Sequence, residues 1–190
     1  MSIHKDTEGM LKESLIEMLI AADLCIHHRK DDGGCLGYPA AILLLSIADS
    51  IGSYHRGNKS LKITIDSKER TIDNDGFQHF FIFNSKYYNL QMSEKVIKMV
   101  YDNFRSLLIH NSVIAGNHFL TINDPLDRPF CENDGFINEI TGKTYPSVHL
   151  IPLLKATRRA LSNFFPKINI IVPSSKQAQD ISKKKKNVRF

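Results

Sequence analysis

Tryptophan is absent from this chain of 190 residues, and cysteine is scarce: Cys25, Cys35 and Cys131 are an odd, widely spaced set with no C-x-x-C pair. That set excludes a disulfide-stapled scaffold and fits free thiols in a reducing compartment. Cys25, His27, His28 and Cys35 are metal-capable side chains, yet they lack zinc-finger spacing and straddle the Gly33-Gly34 pair. Neither a metal nor a cofactor is therefore expected. Long apolar runs are also missing. The longest, 39–48, is about half of the ~18 residues that a membrane helix needs, and Ser46 interrupts it. The chain opens Met-Ser-Ile-His-Lys-Asp, without the apolar stretch of a secretory signal. These absences lead us to expect a cytoplasmic protein with no membrane partner.

An excess of one charge is missing from most of the chain as well. The net charge is +5, with a pI of about 9.1. Of 25 Lys and Arg residues six lie in 173–190, and of 20 Asp and Glu residues only Asp180 does. Residues 1–172 are thus charge-balanced, so the high pI describes the end of the chain and not the body. We expect two parts: a helical domain over 1–172 and a flexible polybasic tail over 173–190 that adds affinity for a polyanion.

What is present is mainly helical patterning. Leu11, Leu15, Met18, Leu19, Ala22, Cys25 and Ile26 recur at three and four, predicting a helix over 7–28 with Thr7 as N-cap. The glycine pair at 33–34 ends that pattern. Pro39 opens a second, mostly apolar helix to about residue 54, with one polar stripe of Ser46, Asp49, Ser50 and Ser53. Such a helix should be largely buried, its stripe lining something polar. Leu61, Ile63 and Ile65 alternate with polar residues, a short strand that pairs with Thr71-Ile72 in a hairpin. A short aromatic helix spans 77–84, and Ser93 caps the clearest helix, 94–110. Residues 115–147 are rich in Gly, Asn and Pro and read as a loop with a weak hairpin of 119–122 with 136–140. A last helix runs over 152–165 between Pro152 and Pro166. The expected fold is mainly α: an antiparallel bundle of four to five helices with small β-hairpin decorations.

One segment carries a candidate chemistry: Tyr101-Asp-Asn-Phe-Arg105-Ser-Leu-Leu-Ile-His110-Asn111. On an ideal wheel of ~100° per residue, Val96, Val100, Phe104, Leu107 and Leu108 form the core stripe. Arg105 and His110 then fall off that stripe, about 140° apart. The same outer face carries Met99 and Ile109, which suggests a second buried surface, most simply a homodimer interface. Two copies of Arg105 and His110 would converge across a two-fold axis. An imidazole there could take a ribose 2′-hydroxyl proton while guanidinium groups hold the charge building on the phosphate.

The R-x4-H spacing of Arg105 and His110 at a helix end resembles the R-x4-6-H signature of the HEPN superfamily, the higher eukaryotes and prokaryotes nucleotide-binding domains. The likeness to uncharacterised bacterial members extends to Leu45-Ser-Ile-Ala-Asp49-Ser-Ile-Gly52 and to Ile151-Pro-Leu-Leu154. It covers roughly residues 10–165, and its specific part is the Arg–His segment. The resemblance implies a helical, usually dimeric domain, and often a metal-independent endoribonuclease acting as a toxin or defence factor, with RNA as substrate and an antitoxin or other protein as partner. Carried over, Arg105 and His110 would be the catalytic pair, with Ser106, Asn111 and Asp49 as supporting residues. Ser106 stands where the family usually has Asn, Asp or His, which shortens the reach to phosphate or base.

Other roles for the same residues stay open. Arg105 could pair with a carboxylate such as Asp49 or Asp102, and His110 could simply favour the helix dipole. Asp49, set in an apolar helix, needs a partner. Tyr87-Tyr88 could stack on bases or pack. Gly33, Gly34 and Gly37 make no phosphate loop, because no Gly-Lys-Ser or Gly-Lys-Thr follows. An alternative function is a non-catalytic module that binds a nucleotide, RNA or a protein, with the Arg–His pair structural.

Overall fold

In a computed structural model, which describes residues 6–31, 33–74, 76–137 and 142–187, the chain is mainly helical with two small sheets. Helix α1 (Thr7–His27) buries Leu15, Ala22 and Ile26, one stripe of the expected amphipathic pattern. Its N-cap is Asp6 and not Thr7: the Asp6 carboxylate accepts from Gly9 N at 2.6 Å. Helix α2 (Gly37–Tyr54) begins two residues before Pro39. It buries Ala40, Ala41, Leu44, Leu45, Ile47, Ala48 and Ile51, nearly its whole circumference, and so forms the centre of the core. Helix α1, the helix Leu150–Phe164, the aromatic segment and the last helix, Lys176–Asn187, all pack on it.

The expected hairpin is present with a tighter turn. Strand β1 (Ile63–Ile65) pairs antiparallel with β2 (Lys68–Arg70), not with 71–72. The turn is Asp66-Ser67, both at positive φ (49° and 60°), which matches the twist of the flanking strands. The aromatic segment Gly76–Asn84 is a 3-10 helix that buries Phe80, Phe81, Ile82 and Phe83. Tyr87 and Tyr88 are buried behind it, so the base-stacking role is overturned and they pack.

The clearest helix is not one α-helix. Ser93 caps α3 (Glu94–Val100) by accepting from Val96 N. A π-helical segment, Tyr101–Ser106, follows, and α4 (Leu107–Asn111) completes the run. The buried stripe is Ile97, Val100, Phe104 and Leu108. Val96 and Leu107 are half-buried and sit at its margin. Met99, expected on the wet face, packs partly buried against the core.

The 115–147 region holds a three-stranded sheet in the order β3-β5-β4. Strand β5 (Thr144–His149) was not expected, and it inserts between β3 (Phe119–Thr121) and β4 (Phe130–Ile137). It runs parallel to β3 and antiparallel to β4, so the expected 119–122 with 136–140 pairing does not form. Residues 138–140 of that hairpin lie outside the described residues. Helix α5 (Leu150–Phe164) follows directly, with Pro152 in its first turn. A 3-10 turn (Phe165–Lys167) leads to α6 (Ile168–Ser174), and α7 (Lys176–Asn187) makes most of the expected flexible tail helical. Among the described residues no helix is long and apolar enough to cross a membrane.

Candidate functional site

The polar stripe of α2 supplies the first residue of the site. Asp49 sits on this otherwise apolar helix, and one turn later Gly52 faces the 3-10 helix. A Cβ at Gly52 would lie 2.2 Å from the His79 carbonyl oxygen, so only glycine lets the two backbones approach this closely. That approach sets His79 against Asp49. The His79 Nδ1–H donates to Asp49 Oδ1 at 2.6 Å. A carboxylate only accepts, so the bond places the ring proton on Nδ1. On the other side, Arg105 Nη2 donates to Asp49 Oδ2 at 2.5 Å.

Arg105 is presented by the π segment. Its guanidinium lies 5.5 Å from the ring centre of Tyr101, one turn back on the same segment. Gly76 opens the 3-10 helix at φ +83°, and a Cβ there would come 3.2 Å from the Tyr101 hydroxyl. Two glycines thus allow the 3-10 helix to sit on α2 at one end and on Tyr101 at the other. The Arg105 Nε–H is buried and makes no hydrogen bond among the described residues. Buried donors left in that condition are uncommon in folded proteins.

Asp49, His79 and Arg105 line a cleft of about 960 Å³ together with Ser50, Ser53, Arg56, Tyr101, Asp180 and Lys183. The last two come from α7, where Asp180 accepts from Arg56 at 2.6 Å. Burial would raise the Asp49 pKa, but the His79 hydrogen bond and the charge of Arg105 outweigh it and hold the carboxyl below its ordinary 3.8. The stabilisation from this cluster is present above the ordinary value and is lost as pH falls through the lowered one. With Asp49 ionised, the cleft carries Arg56, Arg105 and Lys183 against Asp49 and Asp180, a surplus of positive charge before His79 is counted.

The sequence-predicted residues divide. Arg105 and Asp49 come together, in the pairing that the sequence left open between Asp49 and Asp102; Asp102 instead pairs with Lys98 at 2.5 Å. Ser50 and Ser53 of the polar stripe line the cleft as well, whereas Ser46 does not. His110 and Asn111 are exposed on α4, just before its left-handed cap Ser112, and neither lines the cleft. Ser106 is half-buried and also outside it. Sequence reasoning missed His79, which stands in an aromatic run with no spacing relation to Asp49 or Arg105. The one signal for it was Gly52, three residues after the Asp49 carboxylate on the same helix face.

Comparison with protein-family models, with curated proteins and with solved structures gave no match.

Proposed function

We propose that the Asp49–His79–Arg105 cleft binds the phosphodiester backbone of RNA, and that the chain is a metal-independent endoribonuclease of the HEPN type, built on a helical bundle. The observation that carries the reading is Arg105: its guanidinium lines the cleft, fixed on one edge by Asp49 and over Tyr101, while its buried Nε–H has no hydrogen-bond partner among the described residues. A fork held in this way, flanked by Arg56 and Lys183, suits a phosphate oxygen. Cleavage needs a base for the ribose 2′-hydroxyl and an acid for the 5′-oxygen that leaves. His79, oriented by Asp49 as imidazoles are in catalytic triads, is the base that the cleft offers. His110 reaches such a cleft only from a second copy, and exposed Ile109 and Val113 beside it suit a dimer contact. The 2′-oxygen then attacks phosphorus, the P–O5′ bond breaks, and the products end in a 2′,3′-cyclic phosphate and a 5′-hydroxyl.

A second reading, RNA or nucleotide binding without cleavage, is favoured by one observation: Arg105 is engaged by Asp49, and His110 lies outside the cleft of its own chain. One experiment separates the two. Wild type and the Arg105→Ala, His79→Ala and His110→Ala variants are incubated with mixed structured RNAs in EDTA, and the product ends are probed for cyclic phosphate. Cleavage that survives chelation and is lost with Arg105 and either histidine supports the enzyme. RNA binding that needs Arg105, with no cleavage by wild type, supports the binding module. Neither cleavage nor binding by folded wild type overturns both.

A further inference from the structure

A second constellation lies in the small sheet, away from the cleft. Register builds it. Cys131 of β4 is paired with Ser147 of β5, and Thr121 of β3 is paired with His149 of β5. Paired residues point to the same side of a sheet, and so do residues two apart on one strand. Cys131, Ser147, His149 and Thr121 therefore share one face. Three residues beyond Thr121 the chain turns back, and Asp124 brings its carboxylate to that face. One donor atom from each of Asp124, Cys131 and His149 falls within 4.8 Å of the others, and all three residues are buried.

We propose that Asp124, Cys131 and His149 form a zinc site. Sulfur, imidazole nitrogen and carboxylate oxygen together are a donor set that zinc takes in four-coordinate geometry, with a non-protein donor in the fourth position. The outer contacts already suit this role. His149 Nδ1 lies 2.5 Å from the Thr121 hydroxyl and 3.1 Å from the Asn123 carbonyl, which can only accept; with the proton on Nδ1, Nε2 is the nitrogen that would face an ion. A ligating histidine is usually held in this way, with its other N–H on a carbonyl. Nε2 lies in hydrogen-bond contact with Ser147 Oγ at 2.9 Å and faces Asp124 Oδ1 at 3.9 Å, so an ion held by Nε2 and Oδ1 would take the place of that hydroxyl and draw the two donors together by about half an ångström. Asp124 divides its oxygens along the same line. Oδ2 accepts from the backbone N–H groups of Leu126 and Arg128 and from Arg128 Nε, all within 3.1 Å. Oδ1, on the histidine side, has a longer contact of 3.2 Å with Arg128 Nη2. Binding a cation would exchange that contact for the metal while Oδ2 keeps its three. The Cys25, His27, His28 and Cys35 group, with no comparable convergence, is not part of the site.

The full chain, purified without a histidine tag, is tested first for bound zinc by elemental analysis, then stripped with chelator and titrated with Co²⁺. The expected result is one zinc per chain, and a cobalt form with tetrahedral visible bands and a thiolate charge-transfer band. Cys131→Ser should abolish the charge-transfer band. It should also weaken zinc binding by more than the roughly 10- to 100-fold that losing an outer partner costs. Asp124→Asn, close in shape, should weaken binding while leaving that band in place. A Cys25→Ser, Cys35→Ser double variant should retain both zinc and spectrum. Folded wild-type protein that takes up no stoichiometric zinc or cobalt overturns the site, and so does a cobalt spectrum without thiolate character or one that the double variant loses.

Discussion

Replacing Gly52 with alanine tests whether the site depends on the close approach of two backbones. The added Cβ would stand 2.2 Å from the His79 carbonyl oxygen and 2.7 Å from its Cα, where ordinary contact begins at 3.4 Å. The 3-10 helix must therefore retreat by about 1.2 Å, and the obstacle is backbone, which cannot rotate aside. Overpacking of a core costs typically 1–3 kcal/mol, and a clash with fixed backbone belongs at the upper end. At roughly 2–4 °C per kcal/mol for a chain of this size, a loss of about 3 kcal/mol lowers the melting temperature by roughly 6–12 °C. The same retreat carries the 2.6 Å bond between His79 and Asp49 beyond hydrogen-bonding range. Gly37→Ala is the matched control: its Cβ would meet Leu150 Cδ1 at 3.5 Å, an ordinary contact, on the same helix. Thermal melts followed by circular dichroism, with RNA affinity measured on the same samples, should show Gly52→Ala losing both and Gly37→Ala neither. A Gly52→Ala protein that melts with wild type would refute the argument that glycine at 52 builds the site.

Three further outcomes follow from other parts of the structure. His55 is buried against Tyr87 and Phe164, its pKa pushed down to about 4 by burial and then by Lys86. The unfolded chain therefore takes up a proton that the fold refuses between about 6.5 and 4, and stability should fall by about 2 kcal/mol from pH 7.5 to pH 5 in urea titrations; a His55→Phe variant with the same slope would contradict this. Lys183→Ala removes one cation from the cleft wall, so the salt dependence of RNA binding should flatten by about one unit of slope, and an unchanged slope would exclude α7 from the interface. Ile109→Lys places a charge beside exposed Val113, and in sedimentation it should shift a dimer to monomer without lowering the melting temperature; a dimer that persists locates the contact elsewhere.

Periodicity made the long elements legible and their ends less so: Ser93 caps α3 as its sequence suggests, whereas Asp6 and not Thr7 caps α1. The apolar stripe of α1 and the nearly continuous apolar surface of α2 follow from residue order alone, because burial of a helix face leaves a three-four pattern. The sheet was not legible for the opposite reason. Strand β5 carries Pro146 in its interior, which argues against a central strand despite Thr144, Tyr145 and Val148, and its pairing with β3 and β4 is fixed by contacts distant in the chain. The tail composition gave charge but not conformation: α7 is helical over a lysine-rich sequence, and the ion pair of Asp180 with Arg56 holds it against α2.

The site shows where reasoning from a single helix stops. A wheel drawn at a constant ~100° per residue treats 94–110 as one rod, and on that rod Arg105 and His110 lie about 140° apart, paired only by the R-x4-H resemblance. The π segment breaks the rod between Tyr101 and Ser106, and the partner that Arg105 finds is Asp49, 56 residues earlier. A half-buried carboxylate in an apolar helix is best satisfied by a donor, so Asp49 already called for one. The sequence could not say that two donors would arrive from separate segments, one of them delivered by a backbone that only Gly52 admits. Because Asp49 holds both His79 and Arg105, changing it should disturb the two together. Asp49→Asn keeps the shape but removes the charge that fixes the imidazole and opposes the guanidinium. In the RNA-cleavage reading it should lower turnover while leaving phosphate binding intact or tighter, since Arg105 is then no longer neutralised. A purely structural cluster would instead lose stability with no such division between binding and turnover.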